Sequence, residues 1–347
     1  MSAQVTTSYL EWVCSQTKTE WWHDSADPAE LQLGLDRGAV GVTTNPFLSS
    51  VTLAKNRAAW TPEIESVIAQ NLPPEQKAEA LVKCIVTRAA RMYHPHHERT
   101  ARRTGYVCAQ VNPSRAGDRD AMLAMARRFH AFAPNIAVKL PAVSAGLDVL
   151  EECIAEGITA TATVSFTVPQ AVAIAERCRT GRKRALAAGV TPGQCFAVIM
   201  IGRTDDYLRE VALDNKASVS EADIRQSGLA VTKRAYKIYK DRGYEAVLLV
   251  AALRGDYHLT ELAGADLTMS IAPAAQEWFV QKDHPREERI GREVPADVIA
   301  RLSAMPEFIK AYEPDGMKPQ DFISYGVTQR TLSQFIEAGW RLLENLR

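Results

Sequence analysis

Eight short apolar runs, each followed by a stretch with helical spacing, constrain this chain more than any other feature. They are EWWHDS (20–25), GVTTN (41–45), GYVCAQV (105–111), IAVKLP (136–141), TATATVSF (159–166), CFAVIMIG (195–202), EAVLLVAA (245–252) and DLTMSIAP (266–273). Most are almost continuously apolar, as strands of a parallel sheet covered on both faces must be. Between them, DPAELQLGLDRG (27–38) opens on an Asp-Pro pair suited to a helix start and closes on Gly. RDAMLAMARRFHAFA (119–133), SAGLDVLEECIAEG (144–157), VPQAVAIAERCRTG (168–181) and EADIRQSGLAVTKRAYKIYKDRG (221–243) carry apolar residues three and four apart. This alternation predicts an α/β fold, a (β/α)8 TIM barrel, with a doubly wound open sheet as the alternative. One barrel domain over residues 1–347 accommodates the length. Two regions exceed a minimal barrel: a helical insertion at 46–104, between the second and third expected strands, and further helices from about 275 to 347 packed on the barrel. Within the latter, QKDHPREERIGREVP reads as a loop.

Charge narrows the choice of partner. Lys+Arg and Asp+Glu balance at 41 each. No polyanion-binding field is expected, which argues against nucleic acid or a membrane surface as the main partner. The longest apolar run, AVLLVAAL (246–253), is far shorter than the ~20 residues a membrane span requires. The first residues, MSAQVTTSYLEWVCSQ, lack the pattern of a signal peptide. Six scattered cysteines with no CxxC pair suit free thiols in a reducing, cytoplasmic setting.

The chemistry is expected where strands end, because active sites of parallel barrels sit at the C-terminal ends of their strands. Lys139 stands in the middle of the apolar run IAVKLP, with Val138 and Leu140 on the opposite face. Lysine is rarely buried unless it is paired or used. A desolvated amine has a lowered pKa and forms a Schiff base with a carbonyl; the plainer reading is a lysine paired with an interior carboxylate. TATATV aligns Thr159, Thr161 and Thr163 on one face, a hydroxyl row beside that amine, although threonine simply favours strands. Asp24 closes the first run and is a candidate acid/base, since Asp27, before Pro28, is the better helix cap. Asn45 ends the second run in an Asn-Pro turn signal and Gln110 ends the third. Arg203 follows the sixth run and Arg254 the seventh, a pair suited to a phosphate or other anion.

Taken together, HDSAD (23–27), GVTTNP (41–46), VKLP followed by Gly146, TATATVSF and IGR (201–203) resemble the transaldolases and the related fructose-6-phosphate aldolases, in order and spacing, from about residue 20 to 275. The resemblance implies a transferase of carbohydrate metabolism and the pentose phosphate pathway, using no metal or organic cofactor. Its substrates would be small sugars or sugar phosphates, and it could be a homo-oligomer. It places Lys139 on the Schiff-base lysine, Asp24 on the acid/base and Thr163 on the residue that holds the catalytic water. Asn45 falls on the dihydroxyacetone-binding asparagine, and Arg203 and Arg254 on the phosphate-binding arginines. The departures concern the shell. Gln110 stands where transaldolases have glutamate, as in the aldolase branch. Met200 stands in place of phenylalanine or tyrosine, and Thr161 in place of asparagine. Val198 and Ala252 replace two serines of the phosphate site. A non-standard sugar substrate is expected on that ground, with weakened phosphate binding. Met200 has no hydroxyl with which to protonate an intermediate, which favours transfer over direct aldol cleavage.

Other motifs read as structural. HPHHE (94–98) fits no standard zinc spacing, and Pro95 is expected to break any helical face. RCRTGRKR (177–184) suits a solvated helix end. No Gly/Ser-rich cup accompanies Lys139 for pyridoxal phosphate. A barrel that has lost activity and serves as a binding protein is the reading from another class, and retention of Lys139, Asp24 and Thr163 together argues against it.

Overall fold

The computed structural model describes residues 8–347. Seven of the eight apolar runs form strands: β1 (Glu20–His23), β2 (Val107–Gln110), β3 (Ile136–Pro141), β4 (Ala160–Thr163), β5 (Cys195–Met200), β6 (Val247–Ala251) and β7 (Thr268–Ile271). All paired neighbours run parallel, in the order β1-β7-β6-β5-β4-β3-β2. The sheet is curled and covered by helices.

The second expected strand is the correction. GVTTN contributes only Val42, which bridges His23 of β1 on one side and Val107 of β2 on the other, both in parallel. The His23 N–H donates to the Gly41 carbonyl at 2.8 Å and the Val42 N–H to the Tyr106 carbonyl at 2.8 Å, so this short segment is held from both sides. Its extended run is cut at each end for a visible reason. Gly41 lies against the Trp22 indole, so closely that a Cβ there would sit 2.6 Å from the ring. At the other end, Asn45 caps a helix that starts at Pro46. The two edges of the sheet are thereby joined, which disfavours the open doubly wound alternative.

The insertion after Val42 is helical as expected, in three pieces: Pro46–Lys55, Arg57–Ala69 and Pro74–Arg99. Pro95 does not break the last of these, which runs on to Arg99; a proline costs a helix one N–H and a steric adjustment, and neighbouring packing can absorb both. Beyond β7 come the helices Pro273–Val280, Ala296–Leu302, Pro306–Tyr312 and Gly326–Phe335. A π-helical turn, Ile336–Trp340, follows directly and leads into Arg341–Glu344. Residues 281–295 form the expected non-helical stretch. Phe335, Trp340 and Leu343 join the same apolar core as the strands. No helix of the described residues is long and apolar enough to cross a membrane, and all six cysteines are free thiols. The basic run at 177–184 belongs to the Val168–Ala187 helix, where Arg177 and Arg184 pair with Glu151 and Glu152 of the preceding helix.

Aromatic rings fill the inside of the sheet. Phe196 meets Trp22 at 4.6 Å and Tyr106 at 5.8 Å between ring centroids, and all three are buried. Burying each such side chain stabilises the fold by roughly 1.5–3 kcal/mol. Helices lie close on the strands where side chains are smallest. Gly146, in the helix Ser144–Ala155, sits so near the end of β3 that a Cβ would be 1.9 Å from the Pro141 carbonyl oxygen. Backbone cannot give way as a flexible side chain can. We therefore expect Gly146→Ala to destabilise the protein by about 1–3 kcal/mol, read as a lower urea midpoint, with an unchanged midpoint marking the contact as dispensable.

Candidate active site

A cavity of about 230 Å³ opens at the C-terminal ends of the strands. Lys139, Asp24, Thr163 and Asn45 line it on one side, and Met200, Arg203 and Arg254 on the other. Seven of the nine site residues expected from sequence thus meet in one place.

Lys139 is directed there by the register of β3. It is paired with Gln110 of β2 and Thr161 of β4, in a strand buried along its whole length. Its side chain is only 6% exposed, and Nζ donates to the Thr44 carbonyl at 3.0 Å. Asp24 follows β1, anchored by its N–H to the Ile271 carbonyl at 3.1 Å. The Thr43 hydroxyl donates to Asp24 Oδ1 at 2.6 Å and lies 2.6 Å from Ser270 Oγ. With the Thr43 proton given to Asp24, Ser270 is the donor of that second bond. Burial raises the Asp24 pKa above 3.8, and the Thr43 bond and the Lys139 charge offset this only in part. A carboxyl tuned upward in this way is suited to exchanging protons. As expected, Asp27 rather than Asp24 caps the helix Pro28–Asp36, accepting from the Ala29 N–H at 3.0 Å.

Asn45 serves two ends. Its Oδ1 accepts from the Leu48 N–H at 2.9 Å as a helix cap, which leaves the NH2 as a donor at the cavity wall. Thr163 is buried with its residue on the cavity lining. Strands β4 and β6 both leave the sheet through residues in the left-handed region: Val164 at φ 55° and Ala252 at φ 62°.

Gln110 and Thr161 do not line the cavity. Both are buried at the level of Lys139. Thr161 accepts from the Cys108 thiol at 3.5 Å, whereas Gln110 Oε1 is buried without a partner. Thr159 lies at the far end of β4, where its hydroxyl accepts from the Gln194 N–H at 3.3 Å. The three threonines of the row therefore work at three different depths.

The arginines differ in their surroundings. Arg254 is clamped by Asp206, with Nε and Nη2 at 2.8 and 2.7 Å from Oδ2, and Nη1 donates to the Ala252 carbonyl at 2.9 Å. Behind it, the Arg254 N–H donates at 3.1 Å to Nδ1 of buried His258. That fixes the tautomer: Nε2 carries the proton and donates to Asp205 at 3.0 Å. Arg203 is half-buried, and burial followed by the like charge of Arg254 lowers its pKa.

Sequence reading missed Thr43, Ser270 and Asp206, together with Gln334 and Phe335, which also line the cavity or hold its residues. Thr43 lies inside the GVTTNP stretch, and Asp206 follows the IGR stretch (201–203) by three residues. Gln334 and Phe335 come from the C-terminal helix and carry no local signal.

Elsewhere the candidates are structural. Thr104 engages both His96 and His97, through its hydroxyl at 2.8 Å and its carbonyl at 2.7 Å. Among the described residues no group of three or more His, Cys, Asp or Glu is placed to hold a metal. A roomier groove of about 520 Å³ lies on the outer face of the helix Ser227–Arg242. Its cations are already paired, Lys233 with Glu261, Arg234 with Glu313, Lys237 with Asp241 and Lys240 with Asp266.

Comparison with known proteins agrees with the geometry. The family described as Transaldolase/Fructose-6-phosphate aldolase matches residues 21–342. A protein named Transaldolase from Neisseria gonorrhoeae is 31% identical over 225 residues, 62% of each chain. Transaldolase 2 of a Nostoc species is 27% identical over 221 residues, 59% of this chain and 57% of the relative. Transaldolase of Acidothermus cellulolyticus is 29% identical over 231 residues, 64% and 62% respectively. The alignments thus span about three-fifths of these relatives.

The raised Asp24 pKa has a consequence for stability. The folded chain binds this proton more tightly than the unfolded chain, so its contribution is greatest below 3.8 and is lost as pH rises through the raised value. Asp24→Asn removes the cost of a buried charge at neutral pH. We expect the variant to melt higher than the parent at pH 7, by roughly 2 °C, and the gap to close as pH falls toward 3.8. A variant that melts lower at pH 7 would mean that the Lys139 and Thr43 interactions outweigh desolvation.

Proposed function

Because the chain belongs to the transaldolase/fructose-6-phosphate aldolase family, we propose that it is a transaldolase-type enzyme, moving a three-carbon dihydroxyacetone unit from a ketose to an aldose through a Schiff base on Lys139. The observation that carries this reading is the meeting of a buried amine and a carboxyl of raised pKa in one cavity at the strand ends. The scaffold is read as a (β/α)8 barrel, single-domain with its C-terminal helices, whose second strand has shrunk to Val42.

In this mechanism Lys139 Nζ adds to the ketone carbon, two of its protons leave with the ketone oxygen as water, and the proton that stays on nitrogen makes the product an iminium. Asp24 accepts the proton of the C4 hydroxyl as the C3–C4 bond breaks. The electron pair of that bond moves into the iminium, and an aldehyde departs. The three-carbon enamine stays on Lys139. Its C3 attacks the carbonyl carbon of an acceptor aldehyde, and Asp24 returns the proton to the new hydroxyl. Water then adds to the iminium and frees the product. Thr163 is assigned to hold that water, and Gln110, behind the cavity lining, is assigned to support Lys139 on the strength of its unpartnered Oε1 in the neighbouring strand position. The Asn45 NH2 is assigned to the hydroxyls of the three-carbon unit. Thr161, away from the cavity, is assigned to support the strand. Met200 is an apolar wall with no proton to give, which favours transfer to an acceptor over release. Direct aldol cleavage is the second reading, and it predicts free dihydroxyacetone when no acceptor is present.

Borohydride reduction in the presence of fructose 6-phosphate or dihydroxyacetone, followed by peptide mass spectrometry, tests the proposal. We expect one reduced adduct on the peptide carrying Lys139 and none in Lys139→Met. We expect Thr163→Ala to lower kcat by about 10²-fold, in line with loss of general acid/base assistance. Folded wild-type protein that forms no adduct with any ketose would leave Lys139 structural and favour a binding role.

A further inference from the structure

Arg203 and Arg254 face the same end of the cavity, yet only one is neutralised. Arg254 has the Asp206 carboxylate. Among the described residues Arg203 has no carboxylate within ion-pair distance. Its partners are neutral: Gln334 Oε1 at 2.5 Å from Nη2, Thr331 Oγ1 at 3.5 Å from Nη1, and the Phe335 ring with its centroid 5.9 Å from the guanidinium carbon. Its Nε is buried without a partner. One positive charge at this end therefore lacks a counter-charge, and a partly buried charge in that condition is costly unless a ligand supplies the opposite sign.

Gln334 is oriented by the same bond. A guanidinium only donates, so the amide must turn its oxygen to Arg203. Its NH2 then has no protein partner and belongs to a residue on the cavity wall. The neighbouring wall positions Val198 and Ala252 have no polar side-chain atom to offer. Gln334 brings a donor to this wall from the Gly326–Phe335 helix.

The support of Gln334 is rigid. It is the penultimate residue of the Gly326–Phe335 helix, and the π-helical turn Ile336–Trp340 follows at once; such turns recur at functional sites. That turn is pinned to the helix Pro46–Lys55, where Ser50 Oγ donates to the Ala338 carbonyl at 3.1 Å. Gly339 lies so close that a Cβ would meet the Phe47 nitrogen at 2.6 Å.

We infer that Gln334 is a specificity-determining residue, donating its amide NH2 to the terminal phosphate of the sugar while its oxygen steadies Arg203. The inference rests on the Schiff-base reading for the identity of the substrate but not for the presence of the anion site. It also reverses the expectation that phosphate binding is weakened: the missing hydroxyls are replaced from another part of the chain.

The test compares wild type, Gln334→Ala and Gln334→Glu with fructose 6-phosphate and with fructose. For the phosphorylated ketose we expect KM to rise about tenfold in Gln334→Ala, the scale of one hydrogen bond to a charged group. It should rise further in Gln334→Glu, whose carboxylate would neutralise Arg203. The kcat values, the KM for fructose and borohydride trapping of dihydroxyacetone at Lys139 should all stay within twofold. A second measurement needs no turnover: inorganic phosphate should raise the melting temperature of wild type and fail to raise that of Gln334→Glu. If wild type traps no ketose, the proposed catalysis fails while the phosphate arm still decides the role of Gln334. An unchanged ratio of the two KM values in both variants, or equal stabilisation of wild type and Gln334→Glu by phosphate, would overturn the inference.

Discussion

The Lys139 amine is the constraint around which the rest is arranged. An amine inside a parallel sheet must find hydrogen bonds, and ladder carbonyls are already taken. The carbonyl that accepts Lys139 Nζ belongs to Thr44, just past the point where the second segment leaves its ladder. Had that segment continued as a regular strand, its carbonyls would have been spent on neighbours. Thr44 holds its place differently, with its hydroxyl donating to the Cys108 carbonyl at 2.7 Å. Thr43, one residue earlier, uses its hydroxyl on Asp24. The shortened strand is therefore a working part of the site: it frees one carbonyl for the amine and one hydroxyl for the carboxyl.

The strain at the strand ends belongs to the same arrangement. Val164 follows Thr163 and Ala252 precedes Arg254 by two residues, and both adopt positive φ. A β-branched residue in that region is a clear outlier, and such conformations persist only where surrounding structure determines them. At Val164 the fixing is visible, since Gln170 Nε2 donates to its carbonyl at 3.0 Å and to the Ala142 carbonyl at 3.1 Å. At Ala252 the carbonyl accepts from Arg254 Nη1. Each turn sends the chain away from the sheet immediately beyond a residue that faces the cavity.

Much of this was legible because it is local. Strand β3 could be placed to the residue, since IAVKLP is apolar apart from the one lysine, and alternation told which way that lysine points. Asp27 could be separated from Asp24 because Asp-Pro has one clear role. The second strand was misjudged because GVTTN has strand composition, while its length is set by the Trp22 ring on Gly41 and by the helix cap at Asn45. Pro95 was misjudged because helix propensity yields to packing along a long helix. Gln334 was invisible: it meets Arg203 from 131 positions away in the chain, and no spacing rule reaches that far.

That distant contact gives the C-terminal segment a role beyond covering the sheet. Its Gly326–Phe335 helix touches Arg203 at one end of the cavity, and the π-helical turn after it packs on the start of the helix capped by Asn45 at the other. Both residues line the cavity, and on the proposed reading Asn45 would face the three-carbon unit and Arg203 the terminal anion. One continuous stretch, residues 326–340, thus contacts elements at both places. On the proposed reading, sugar length and charge would be sensed by this one piece of chain, while Lys139 and Asp24 stand on β3 and just after β1. On that reading, substitutions within 326–340 would change substrate preference and leave Lys139 and Asp24 in place, a physical route to an intact centre inside an altered shell.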